Sequence, residues 1–460
     1  MDQDVIVVGA GSAGGTVAAR LSEDADRRVL LLEAGPDFPD EAARPPAFYP
    51  GGALFGEGGA GAGAPVPDLD WGYESEPLDG GRRIALPRGR MVGGTSMVNG
   101  CVAVRGRPSD FDGWGWSWAD VRELYEVVER ELHVRPYDRS LWLPVQRAFH
   151  EACVEIGFRD VDDLNAPDAW DGVVGAWPRN RRNEVRQGSL NTYVRAARPR
   201  PNLTIRGGVL VDRVVVERGR AAGVVVEGQL VRAARVVLSA GAYGTPAILL
   251  RSGIGPAGEL RALGIEPVAD LPVGHGLMEH PGCWFPVAAP ALARMGWPDL
   301  AVAARGDGYW TMPMAVDQER GLIAIGMFLG LVDGPAGSVR LRSRAGADPP
   351  VIDHGFQSVI DGGGFEAAFS DFERLLATSA LAGATDVRAG TPLADRLRRG
   401  LVTGTHPAGG CAIGAVVDPS LSVLGVEGLT VADASVFPRH VSNNPNTTCH
   451  VVGELAARVL

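Results

Sequence analysis

The 460-residue chain contains no lysine, so arginine supplies all 44 of its fixed cationic side chains. A Walker-type phosphate-binding lysine and any Schiff-base mechanism are thereby excluded, since both need a lysine amine. GC-rich codon usage is a sufficient origin for the absence, and the chemical exclusion holds whatever its origin. Cysteine is scarce: Cys101, Cys153, Cys283, Cys411 and Cys449 are dispersed, with no Cys-x-x-Cys pair. An odd, scattered set of this kind predicts buried thiols in a reducing compartment, with no disulfide framework and no metal site. Positive charge is also in deficit. A formal net charge of −11 excludes an extended nucleic-acid surface, which needs clustered cations. No run of apolar residues approaches the length of a membrane span. The amino terminus lacks the basic start and separate apolar segment of a secretory signal, and a cytoplasmic location is expected.

What is present begins at residue 5. Val5-Ile6-Val7-Val8 is a continuous apolar run suited to a buried parallel strand. It leads into Gly9-Ala10-Gly11-Ser12-Ala13-Gly14 and then into Val17, Ala18 and Leu21 at helical spacing. A second apolar run, Val29–Leu32, ends in Glu33, roughly 20 residues beyond the glycines, where a dinucleotide site places its acid. Gly9 allows the tight turn, Gly11 lets a pyrophosphate approach the backbone, and Gly14 lets helix pack on strand. The helix start offers free N–H groups to phosphate, and Glu33 can accept from both ribose hydroxyls. Glycines alone would describe any turn. Strand, glycines, helix, strand and acid in register describe a dinucleotide site, without distinguishing FAD from NAD.

At this length two domains or one elaborated domain are expected. Residues 36–67, rich in Pro, Gly and Ala, read as a surface loop that serves either as a linker or as a lid over the site. Helical periodicity runs from Val121 to Leu132 and again from Val145 to Ile156. Trp142, Trp170 and Trp177 are assigned to core packing, with a pocket as the alternative. Asn202–Ile205, Val209–Val216 and Ala222–Val226 predict a small antiparallel meander. Val236–Leu238 predicts a further buried strand opening through Gly241 into a helix. Alternating segments between Cys283 and residue 334 predict the antiparallel sheet of a substrate domain, followed by a helix over Phe365–Leu381.

Three blocks carry a family resemblance. The first is the glycine unit just described. The second is Pro87-Arg88-Gly89-Arg90-Met91-Val92-Gly93-Gly94-Thr95-Ser96-Met97-Val98-Asn99-Gly100, closed by Arg105-Gly106. The third is Thr405-His406-Pro407-Ala408-Gly409-Gly410, then the strand and turn Leu429–Pro438, then Ser442-Asn443-Asn444-Pro445-Asn446. Together they resemble the glucose–methanol–choline (GMC) family of flavin oxidoreductases along nearly the whole chain. The resemblance implies an α/β fold: a Rossmann-like FAD-binding domain and a second, smaller domain with an antiparallel sheet. The FAD-binding domain would be discontinuous, over 1–45, 85–130, 186–283 and 398–460. A mobile loop or lid would span 46–84, and the substrate domain would span 131–185 and 284–397.

The resemblance also implies the chemistry. His406 would be the base that takes the hydroxyl proton of an alcohol. Asn444, by family spacing from Pro438, would orient the substrate oxygen, leaving His440, His450 and His280 as scaffold. Adenosine would lie against Glu33 and Val211, and the pyrophosphate on Ser12 and Ala13. The flavin ring would lie near Val92, Gly94, Thr95, Asn99, Val102, Asp433 and Ala434. Val98 stands where some members carry the histidine that bonds covalently to the flavin, so FAD should be held non-covalently. The chain departs from the family at Gly410, Ala412 and Ile413 and in a trimmed segment between Gly282 and Ser338, all on the substrate side. The expected activity is oxidation of a small-molecule alcohol, with O₂ or another electron acceptor reoxidising the flavin and a dehydrogenase slightly favoured. Its alternative is a hydroxynitrile-type lyase that keeps FAD as a structural group.

Overall fold

The computed structural model describes residues 3–45, 68–183, 185–294, 300–330, 337–362 and 364–460. The part of the expected lid that lies at 46–67 is outside the described residues.

Val5–Val8 and Val29–Leu32 are buried throughout, and each of these side chains contributes roughly 1.5–3 kcal/mol by leaving water. They form the centre of a seven-stranded sheet. Gln3–Val8 pairs in parallel with Val29–Leu32 on one side and with Gln229–Leu238 on the other. Leu429–Val431, close to the end of the chain, adds in parallel to Gln229–Leu238, with Val237 opposite Thr430. The helices Ser12–Leu21 and Asn446–Val459 pack on one another beside this sheet. The contact is close: a Cβ on Gly453 would stand 2.7 Å from the Ala13 carbonyl oxygen. Arg20 ties the pair together, its Nε donating to both carboxylate oxygens of Glu454 at 3.0 Å.

The meander differs from expectation in one strand. Val211–Glu217 and Arg220–Val226 are antiparallel neighbours as predicted, and the third place in the meander is taken by Gln229–Leu238. Leu203–Arg206 instead lies parallel to Val29–Leu32 at the far edge of the main sheet, with Leu203 opposite Val29 and Ile205 opposite Leu31. Asn202 explains the choice. Its side-chain amide donates to the carbonyls of Ser22, Asp24 and Arg27, and its own carbonyl accepts from Val29, so it is stapled to the loop before that strand. The chain then turns away at Gly208, with φ +73°.

A second, eight-stranded sheet stands against the first. Its order runs Thr385–Asp386, Pro281–Ala288, Leu322–Leu329, Tyr309–Asp317, Val302–Arg305, Val173–Ala176 and Arg159–Val161, with Leu401–Thr403 also pairing on Pro281–Ala288. All its pairings are antiparallel except the last along that path. The helices Pro144–Glu155 and Glu366–Leu376 cover it with an apolar core that includes Phe149, Phe285, Phe365 and Phe372. Among the described residues, no helix is long and apolar enough to cross a membrane.

Candidate active site

A cavity of about 610 Å³ runs from the glycine turn to the wall of the second sheet. At its first end Gly9 adopts φ +94°, and a Cβ there would lie 2.4 Å from the Ser239 carbonyl oxygen. At Gly14 a Cβ would stand 2.0 Å from the Gly9 oxygen, so Gly14 serves helix–strand packing and does not itself line the cavity. Gly11 is the opposite case: a Cβ there would meet open space, and the residue borders the cavity with Gly9, Ser12 and Ala13. Glu33 also reaches it. Its carboxylate accepts N–H groups from Ala10 at 2.9 Å and Gly35 at 3.0 Å, and burial pushes its pKa up to about 7. Two donors leave further acceptor positions on the carboxylate, which the hydroxyls of a ribose would fill. Val211 lines the same end.

The residues fit a dinucleotide on a further observation that sequence reasoning missed. Asn446, first residue of the closing helix, lines the cavity and accepts the Ser12 hydroxyl on its Oδ1 at 2.7 Å. Its Nδ2 is buried with no protein partner among the described residues. A buried amide donor left open beside a glycine turn is a vacancy for an acceptor such as a phosphate oxygen. The Asn-Asn-Pro-Asn run carried the signal, but the sequence does not show that Asn446 meets Ser12 across 434 positions.

The middle of the cavity is walled by Gly94, Thr95, Val98, Asn99 and Val102 on one side and by Asp433 and Ala434 on the other. Asp433 accepts from the Gly241 N–H at 2.8 Å and from the Thr245 hydroxyl, and its Oδ1 takes the Ser435 N–H at 2.8 Å, which fixes the Ala434 turn. Val92 is not brought to this wall. It is fully buried, and its N–H donates to the Pro36 carbonyl.

The far end holds His406. The turn that carries it is fixed from below by Glu279, which accepts the His406 and His280 N–H groups and the Thr403 hydroxyl, all within 2.8 Å. Burial pushes the Glu279 pKa up to about 7, against the pull of the Arg88 cation. Arg88 in turn donates to the Thr405 carbonyl at 2.7 Å. The half-buried His406 ring opens on the cavity, and its Nδ1 lies 3.1 Å from Nδ1 of His280. Its Nε2 has no protein partner among the described residues. Burial holds His406 well below the ordinary imidazole pKa, and the neighbouring His440 and the Arg88 cation add to the depression. Near neutrality it is therefore an uncharged base.

Asn444 lines the same cavity and is oriented by donating from Nδ2 to the Val102 carbonyl at 2.7 Å. His440 and His450 do not line it. His440 sits between the carbonyls of His406 and Val441, and His450 pairs through Nδ1 with the Thr16 hydroxyl between the two packed helices. His280 is more than remote scaffold, because it touches His406 directly. The outer wall comes from the second sheet: Trp284, Trp310, Met312, Met314 and Phe328, with Trp177 beside them. Trp310 stacks on Phe328 at 5.6 Å, and its ring centroid lies 6.0 Å from that of His406. Of the three tryptophans weighed for a pocket, only Trp177 is among the residues that line this one. Trp142 packs against His150 and Arg139 instead.

Comparison with known proteins covers both halves of the chain. Residues 3–282 match the N-terminal and residues 333–453 the C-terminal profile of GMC oxidoreductases. An oxygen-dependent choline dehydrogenase of Brucella ovis is 31% identical, over 99% of this chain and 95% of that protein. The protein of that name from Paraburkholderia phymatum is 32% identical, over 99% and 92%. Among solved structures, pyridoxine 4-oxidase from Mesorbium loti superposes with a TM-score of 0.85 at 26% identity, covering 99% of each chain. Formate oxidase of Aspergillus oryzae, at 22% identity and a TM-score of 0.86, shares the fold over 100% of this chain and 98% of its own.

Proposed function

The chain belongs to the GMC oxidoreductases, FAD-dependent enzymes acting on alcohol groups, and from that premise we propose that it oxidises a small-molecule alcohol to a carbonyl with His406 as base and Asn444 orienting the substrate oxygen. The observation that carries this reading is His406, whose Nε2 has no protein partner among the described residues, lining the same cavity that Glu33 and Gly11 border at its other end. FAD, when bound, supplies the acceptor for the hydride that leaves the substrate carbon. The protein supplies the rest. Glu33, Val211 and the Gly9–Ala13 turn hold the adenosine and pyrophosphate, with the open Asn446 amide as a further donor. Thr95, Asn99, Val102, Asp433 and Ala434 shape the ring site, and Val98, having no nucleophile, leaves the cofactor non-covalent.

His406, neutral because it is buried, removes the hydroxyl proton as the carbon–hydrogen bond breaks. Asn444 has one amide hydrogen on Val102 and a second to offer the developing alkoxide, a donor that adds no charge. Reoxidation of the flavin then needs O₂ or another electron acceptor. In this reading the first sheet belongs to the discontinuous FAD-binding domain and the second to the substrate domain, except that residues 281–283 and Leu401–Thr403 of the second sheet fall within the FAD-binding bounds.

Anaerobic titration of the yellow protein with a panel of alcohols tests the assignment. One class of alcohol should bleach the flavin band. His406→Ala should keep FAD but reduce it several orders of magnitude more slowly, on the combined scale of a general base and of positioning. An unchanged reduction rate in His406→Ala would remove the histidine from the mechanism.

A further inference from the structure

Two further imidazoles, His280 and His440, meet behind the base, and their partners decide where its proton sits. His280 is the middle residue of the Glu-His-Pro turn that leads into the strand Pro281–Ala288 and is only 1% exposed. Its Nε2 lies 3.0 Å from the Val441 carbonyl oxygen. A carbonyl can only accept, so Nε2 carries a hydrogen and donates. Burial disfavours the charged ring, so His280 is neutral and has one N–H to give. Its Nδ1 is therefore a lone pair. That lone pair lies 3.1 Å from Nδ1 of His406, which must then be the donor. In a neutral His406 with Nδ1 protonated, the remaining lone pair is on Nε2, the nitrogen with no protein partner among the described residues.

We propose that His280, anchored by the Val441 carbonyl, is a positioning residue that selects the tautomer of His406 in which Nε2 is the proton acceptor. The inference rests on the reading of His406 as base. In the step so arranged, the substrate O–H bond breaks and its proton goes to Nε2 of His406. The carbon–hydrogen bond breaks with its electron pair going to the FAD oxidant, and the carbon–oxygen double bond forms. His406 is left as an imidazolium whose Nδ1–H stays on His280. The opposite arrangement sets an Nε2 lone pair of His280 against the Val441 oxygen at 3.0 Å. It also presents the substrate with an N–H that cannot take a proton. The ring of His280 is not free to turn to a third arrangement. His440 lies against one face with ring centroids 3.8 Å apart, and Trp310 meets it edge-on at 4.9 Å. A neutral His440 has one N–H for two carbonyl oxygens, His406 at 2.6 Å from Nε2 and Val441 at 2.9 Å from Nδ1, and the two acceptor positions of the Val441 carbonyl leave room for the His280 donor in either case.

Nitrogen-15 NMR of the histidine-labelled, FAD-loaded protein reads the tautomer directly, with His406 assigned by the signals lost in His406→Gln. The expected result near neutral pH is a protonated Nδ1 and an unprotonated Nε2. The reverse tautomer overturns the proposal whether or not any alcohol is oxidised. Failure of every alcohol to reduce the flavin would sink the reading of the base while leaving this measurement decisive for His280. Two variants add a kinetic arm. His280→Asn can place an amide oxygen near the position of Nδ1, whereas His280→Leu offers no acceptor. Flavin reduction in His280→Leu should fall ~10²-fold in kcat at unchanged KM, and His280→Asn should regain at least about tenfold of it. Equal rates in the two variants, both retaining FAD, would also overturn the proposal.

Discussion

The proposed base, His406, can take a proton only while it is uncharged, and three features keep it so: burial, the neighbouring His440 and Arg88. Its folded pKa is depressed, so protonation that silences it should begin only well on the acid side of 6.5. The rate of flavin reduction by alcohol should be flat through neutrality and fall at acid pH. A stopped-flow pH profile with its acid limb centred above 6.5 would contradict this. Glu279 and His280 face the same turn, and Arg88→Met should shift the limb upward by removing a cation. Asn444→Ala should cost less than loss of the base, about 10²-fold in the reduction rate, the scale of one oxyanion donor. At this scale the sequence was partly legible. Glu33 and His406 stand in local patterns whose chemistry is tied to spacing. The roles of His280 and Asn446 were not legible, since each depends on one atom meeting another across 126 and 434 positions.

The glycine turn makes the sharpest prediction among the elements, because two of its glycines fail for different reasons. Gly14→Ala gains helix propensity of about 1 kcal/mol but drives a Cβ to 2.0 Å from the Gly9 oxygen, a backbone atom that cannot step aside. The net loss should be on the order of 3 kcal/mol, seen as a lowered denaturant midpoint of the apoprotein. Gly11→Ala meets nothing within 4 Å in the protein. It should leave that midpoint in place and weaken FAD binding alone, measured by cofactor titration. Equal midpoints for the two variants would refute this division of labour. Elements with their own period were readable in advance: the first strand, its helix, and the alternating strands of the second sheet. Leu203–Arg206 was not, because an apolar strand beside two others looks like part of their meander. Its true partner is chosen by Asn202, gripping a loop some 180 positions earlier.

Over the whole molecule, buried neutral histidines govern the response to acid. Burial lowers the pKa of His354 and His450 to about 3 and of His440 to about 4, below the ordinary 6.5 they regain on unfolding. Groups with depressed folded pKa values bind more protons when unfolded. Their stabilising contribution is complete above pH 6.5 and is lost as pH falls toward 3–4. Glu33 and Glu279, raised to about 7, act in the opposite sense: their contribution is present at low pH and is lost as pH rises through 7. A single-site comparison separates the two trends. The stability difference between the wild type and His450→Gln should fall by about 1.4 kcal/mol per pH unit below 6.5, and a pH-independent difference would show that His450 is not buried neutral. The same architecture bears on biosynthesis. The strand Leu429–Val431 and the helix Asn446–Val459 complete a site that Gln3–Leu21 begins. A ribosome that has made nine-tenths of this chain therefore displays a glycine turn with no Asn446 to face it. Cofactor can be captured stably only once Asn446–Val459 has cleared the ribosome tunnel, so a nascent chain stalled before Asn446 should remain colourless while one extended beyond Val459 by a tunnel-length linker turns yellow.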